Sequence, residues 1–271
     1  MKKHIIIFVL SITNAVLSFS GEQGGNIYTF IVNIVNDQFR LPLVGLVNIA
    51  RGDHSTLHAG LANRNEGDFT GLQAGLVNTV DGAVDGVQNG LVNTAKQLDG
   101  VQAGLFNYAE SAKNGLPVGL VSIVKYGGYR AVELSVNETA PVNIALKTGV
   151  PQLYTSIIFS YNPFEENVRD QIFLGAGLGS IITIDEPFFF NPEITTSGKV
   201  AGRSQFYTSF VPYFGFDLTP DTSVLAGPSL LWTHSLKNEN SAAPFFKMLE
   251  CKIGERNSLF LGGKIAVRLR W

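Results

Sequence analysis

The chain has 271 residues and a formal net charge of −2, so its charge balance gives no reason to expect a nucleic-acid partner. Charged residues make up 15% against about 25% in soluble domains, while Gly stands at 29 and aromatic residues at 11%. A single cysteine, Cys251, excludes an internal disulfide and a cysteine-based metal cluster.

Residues 1–20 carry Lys2 and Lys3, an apolar run from Ile5 to Leu17, and Ser18 and Ser20 at the −3 and −1 positions. This pattern predicts a secretory signal peptide cut after Ser20. No cysteine lies near the cut, which excludes a lipid anchor there, and no later apolar run is long enough for a membrane-crossing helix. An exported chain rich in Gly and aromatics and poor in charge suits the outer membrane, which closed barrels can span.

Residues 21–43 hold a first strand, near 26–35, and a lead-in. From 44 to 124 the chain repeats the phrase G-L-[VF]-N, its glycines falling at Gly45, Gly60, Gly75, Gly90, Gly104 and Gly119. The closing Asn recurs at Asn48, Asn63, Asn78, Asn93 and Asn107, with Ser122 in the sixth unit. Polar, turn-forming stretches separate the units. Each unit therefore reads as one strand and one turn, with Leu91 facing lipid, Gly90 and Gln88 facing a lumen, and Asn93 ending the strand. Two architectures use such a repeat. In an antiparallel meander each unit is one membrane-crossing strand; in a β-solenoid each unit is one coil and the Asn column forms a ladder. The meander is the leading expectation, because the repeats grade without a linker into alternating strands.

Residues 125–271 continue with period-two segments at 129–138, 142–147, 152–161, 171–183, 203–216, 222–234, 243–253 and 258–270. Short connections at 217–221 and 254–257 are expected on the periplasmic side, and longer ones at 185–202 and 235–242 on the outer side. In the final strand Leu259, Leu261, Ile265, Val267, Leu269 and Trp271 share one face, and Gly262, Lys264, Ala266, Arg268 and Arg270 the other. A terminal aromatic closing an alternating strand resembles the signal read by the barrel-assembly machinery, which assigns that role to Trp271.

The units GLVNTVDGAVDGVQNGLVN, followed by NGLPVGLVSIVKYGGYRAVELSVNETAPVNIALKTGVPQLYTS, resemble the uncharacterised bacterial surface-repeat family over approximately residues 44–156. The resemblance implies an outer-membrane or cell-surface location and supplies no catalytic or binding residues. Ala62 and Ser122 depart from the repeat consensus.

Candidates for chemistry are few. His54 and His58 have metal-ligand spacing on a helix, but read as a solvated turn entering a strand. His234 follows Ser229 without a nucleophile motif. Residues 185–190 combine Asp, Glu and three Phe and read as an interfacial loop, and the Gly-rich 175–179 as a strand with a small-residue face. Lys147, Glu133, Lys264, Arg268 and Arg270 are expected to face a lumen. The combined expectation is an all-β outer-membrane barrel of about 14–16 strands. It is a surface protein acting as a passive pore, without catalytic activity or cofactor, its partners being membrane lipid and the assembly machinery. The alternative is a repeat solenoid on a barrel of about eight strands, serving as an adhesin toward an unidentified extracellular partner.

Overall fold

The computed structural model describes residues 25–165, 167–201, 205–235, 249–253 and 256–271; the expected signal peptide lies outside them. The chain is all-β and takes the second of the two architectures, a solenoid-like region followed by a closed eight-stranded antiparallel barrel.

Parallel pairing rules out the meander for the repeats. Val47 pairs with Ala62, Ala62 with Val77, Val77 with Val92, Val92 with Phe106 and Phe106 with Val121, always in parallel. A second line runs His58, Gln73, Gln88, Gln102 and Pro117. Each unit is thus one coil, with two short strands such as Phe69–Ala74 and Val77–Val80 meeting at a Gly-Leu corner, while in the last two coils one strand, Val101–Ser111 or Leu116–Tyr126, runs through the Gly-Leu pair. Coiling starts one turn before the repeat phrase, since Val32–Val35 already stacks on Val47–Ala50.

Side-chain amides hold the stack. Asn33 donates to Asn48, Asn48 to Asn63, Asn63 to Asn78, Asn78 to Asn93 and Asn93 to Asn107 at 2.6–2.9 Å. Each Asn from Asn48 to Asn93 also donates to a backbone carbonyl beside the corner, for example Asn78 to Asn89 at 3.0 Å. Amides buried in this way are satisfied by their own copies one coil away, which removes the usual cost of burying them. Gly75 is required by close approach, because a Cβ there would collide with the Gly60 carbonyl oxygen. Asn93 therefore ends no strand, and Gln88 and Asn93 both point inward although they differ in parity. The corner at Gly90 and Leu91 resets the alternation, which is why a single phase assigned Gln88 to a lumen.

The barrel strands are β1 (Tyr129–Val136), β2 (Val142–Val150), β3 (Leu153–Tyr161), β4 (Ile172–Gly179), β5 (Phe188–Lys199), β6 (Gln205–Thr219), β7 (Thr222–Ser235) and β8 (Asn257–Arg270). Neighbours pair antiparallel throughout. The barrel closes where β1 pairs β8, from Ala131 with Arg270 to Val136 with Ile265. The 185–202 segment, read as an outer loop, is mostly β5. Within 243–253, the described Leu249–Lys252 is a short strand added to β8. The two misreadings cancel, so the expected count of eight strands after the repeats is met by a different set. The turns at 151–152, 186–187 and 220–221 share one end of the barrel with the last residue, Trp271. Of the 254–257 connection, expected on the same side as these turns, the described Asn257 starts β8 at the opposite end.

The solenoid meets the barrel side-on. On β2 the outward residues Ile144 and Leu146 are exposed, whereas Thr148 and Val150, on the same face, are buried. The last coil strand, Leu116–Tyr126, covers them: the Ser122 amide donates to Thr148 Oγ1 at 3.1 Å. Val150 joins the coil's core cluster with Leu98, Ala109 and Val124. Ser122 stands where the Asn column ends, accepting from Asn107 at 3.2 Å while the barrel wall takes the place of a further coil.

Candidate functional site in the barrel bore

Alternation on each barrel strand turns one set of side chains into the bore. β1 contributes Glu133, β2 Lys147, β3 Tyr154, β5 Asn191 and Glu193, β6 Tyr213, and β8 Lys264 and Arg268; all are buried. They converge on one another. Lys147 bridges Glu133 at 2.8 Å and also pairs with Glu193. Lys264 lies 3.5 Å from Glu133 and 3.6 Å from Glu193. Arg268 donates to Glu133 through Nε at 2.9 Å and Nη2 at 2.7 Å, and to Asn191 Oδ1 at 2.6 Å. The Tyr154 hydroxyl donates to Glu193 at 2.7 Å, and its ring lies beside the Lys147 ammonium at 5.1 Å.

Three cations face two carboxylates, so each carboxylate is shared and every cation has at least one counter-charge within 4 Å. Removing either carboxylate would leave buried cations uncompensated. Small residues make the space: a Cβ on Gly179 or Gly215 would run into the rings of Tyr154 or Phe189. Around the charges pack Phe189, Val211, Tyr213, Leu225 and Ala266, and nearer the long connections Phe173, Tyr207, Leu231 and Phe260. The bore is filled by side chains.

Of the five expected lumen residues, four meet in this network. Arg270 lies apart near the short-turn end, pairing with Asp217 at 2.7 Å in a half-exposed position. Glu193 and Asn191 were not legible because β5 opens on three Phe and carries Pro192, which blurs the alternation, whereas Tyr154 lies on β3, where an inward Tyr carries no charge to mark it. Trp271 is exposed beyond β8.

The remaining candidates change character. His54 and His58 are not solvated: both are buried on the strand His54–Ala59, where residues four apart share a face, and His54 Nδ1 lies 2.7 Å from His58 Nε2. Burial holds both rings below the ordinary histidine range, His58 down to about 3 with its neighbour His54 as second cause. Among the described residues no group of three or more His, Cys, Asp or Glu is placed to hold a metal. Ser229 points into the bore while His234 lies on the outer wall, its ring 2.9 Å from Asn257 Oδ1, so the two cannot meet. Residues 185–190 form a tight hairpin in which Phe188 is exposed and Phe189 buried. Residues 175–179 lie in β4, as expected.

No family model and no curated protein matches the chain. Among solved structures it is similar to the crystal structure of Neisserial surface protein A, at 10% identity and a TM-score of 0.31, over 54% of this chain and 97% of that one.

Proposed function

We propose that the chain is a bacterial outer-membrane surface protein of the GLVN-repeat kind, in which the barrel is a closed anchor and the repeat coil its distinctive cargo. The barrel's outer wall supports membrane insertion: Leu134, Ile144, Phe159, Leu174, Phe210, Leu230 and Ile265 are exposed on it while the charges turn inward. Exposed aromatics lie toward both margins, Phe188, Phe216 and Trp271 at the short-turn end and Tyr161, Phe206 and Trp232 at the other. In this reading Trp271 serves the assembly machinery, and the coil, joined at the short-turn end, lies on the periplasmic side.

The observation that carries a non-conducting, non-enzymatic anchor is the filled bore around Glu133, Lys147, Glu193, Lys264 and Arg268. Eight strands leave room for side chains and little else. Full-length protein, with folding checked by its heat-dependent gel mobility, is expected to give no conductance steps in planar bilayers. Reproducible ohmic steps would restore the passive pore. A second reading, contact with an extracellular partner, is favoured by the connection at 162–171, where Phe164 and Val168 are exposed. Loss of partner-cell binding on replacing both with Ser would support it.

A further inference from the structure

Among the described residues the solenoid carries an exposed apolar edge. At the Gly-Leu corners Leu46, Leu61, Leu76, Leu91, Leu105 and Leu120 stand in register, 45–52% exposed. At about 4.8 Å per coil they form a stripe on the order of 24 Å long. Beside it run Leu57, Leu72, Val87, Val101 and Leu116, paired from coil to coil. Asn89 is the polar exception in the flanking column of Val44, Ala59, Ala74, Ala103 and Val118. The charges are segregated. Residues 41–50, 55–63, 70–80, 86–95, 100–109 and 115–124 contain no Asp, Glu, Lys or Arg, and the charged residues of the coils all fall between these stretches.

The stripe is continuous with the barrel's outer wall. Its last member, Leu120, lies with Val118 and Gly119 against Leu178, Ile194 and Ala176, around a groove of about 430 Å³. Leu178 and Ile194 are outward-facing, exposed residues of β4 and β5, within the surface that a spanning barrel presents to lipid. The coils stack away from that wall, so the leucines extend its apolar surface sideways, while the polar edge leads through Lys125 to the start of β1 at the short-turn end.

We infer that the Gly-Leu edge of the solenoid is immersed in lipid, in the leaflet on the barrel's short-turn side, so that the coil is a half-submerged wedge rather than a projecting domain. The inference rests on the membrane-spanning reading of the barrel. Occupancy by bilayer follows from the stripe beginning within the lipid-facing wall and from the complete exclusion of charge from the edge. A second copy of the chain docking there would also cover it, and the test separates the two.

In a Cys251→Ser background, Leu76→Cys, Leu91→Cys, Lys96→Cys and Ile144→Cys are each labelled with a polarity-sensitive fluorophore. The full chain is then folded into phosphatidylcholine vesicles with or without brominated acyl chains. Labels at 76 and 91 are expected to be quenched by brominated lipid as strongly as the label on the barrel wall at 144, with the label at 96 unaffected. Quenching at 144 but not at 76 or 91 would overturn the inference and leave the barrel in the membrane; blue-shifted emission at 76 and 91 in that case would assign the edge to protein contact. Absence of quenching at 144 would overturn the spanning reading itself, and the inference with it.

Discussion

Glu133 and Arg270 illustrate how differently two inward charges of one barrel can matter. Glu133 is fully buried and answers Lys147, Lys264 and Arg268 together. Among the described residues, Glu133→Gln would leave Glu193 as the one carboxylate within 4 Å of any of the three cations. The expected loss is about 3–5 kcal/mol, the range for breaking a buried pair from one side. Arg270 and Asp217 are 23% and 30% exposed, and Arg270→Ala should cost no more than about 1 kcal/mol, as for solvated pairs. Urea midpoints for folding into vesicles measure both; equal losses would mean that the network is not what organises the bore. Alternation placed Glu133 and Arg270 on the inner face from sequence alone, because β1 alternates through Val132, Leu134 and Val136 and β8 from Leu259 to Leu269. It could not rank them, since rank depends on partners from strands far apart in the chain, such as Glu193, 60 positions from Glu133.

The coil is an element whose period was legible and whose pairing was not. A spacing of 15 fits one strand and a turn as well as one coil of two short strands, and nothing local separates them. The discriminating signal was present in the Asn column: an amide repeated at one position of every unit gains most when identical residues stack. The same stacking explains the histidines. His58 occupies the column filled by Gln73, Gln88 and Gln102 in the following coils, and His54 the column of Phe69 and Val84. An unfolded chain binds a proton on His58 near pH 6.5, whereas the folded coil refuses it until about pH 3. Coil stability is therefore complete above about pH 6.5 and falls as pH drops toward 3, by roughly 1.4 kcal/mol per pH unit for a histidine held neutral. His58→Gln should extend the Gln ladder, keep stability at pH 7 and flatten the acid limb. Protease protection of the coil between pH 7 and 4 reads this, and an unchanged acid limb in the variant would remove the histidine from the account.

At the scale of the whole molecule the two halves share one piece of core. Val150 belongs by sequence and hydrogen bonding to β2, yet its side chain completes the cluster of Leu98, Ala109 and Val124 in the coil. Val150 lay just past the alternating run of Val142, Ile144 and Leu146 and gave no hint of this role, because a Val facing lipid and a Val facing a coil look alike in sequence. The free edge of Leu116–Tyr126 needs such a cover, since an open parallel strand otherwise invites pairing with another chain. A change at this barrel position should thus be felt in the coil. Val150→Ala is expected to destabilise the coil by about 1–3 kcal/mol through the cavity it leaves. It should leave the barrel's heat-dependent mobility unchanged, because the β2 ladder keeps its backbone pairing with β1 and β3. Faster proteolysis within residues 25–126, alongside an intact barrel, is the expected signature. Parallel loss of barrel mobility would instead mean that coil and wall fold as a single cooperative unit, with Val150 as much a barrel residue as a cap.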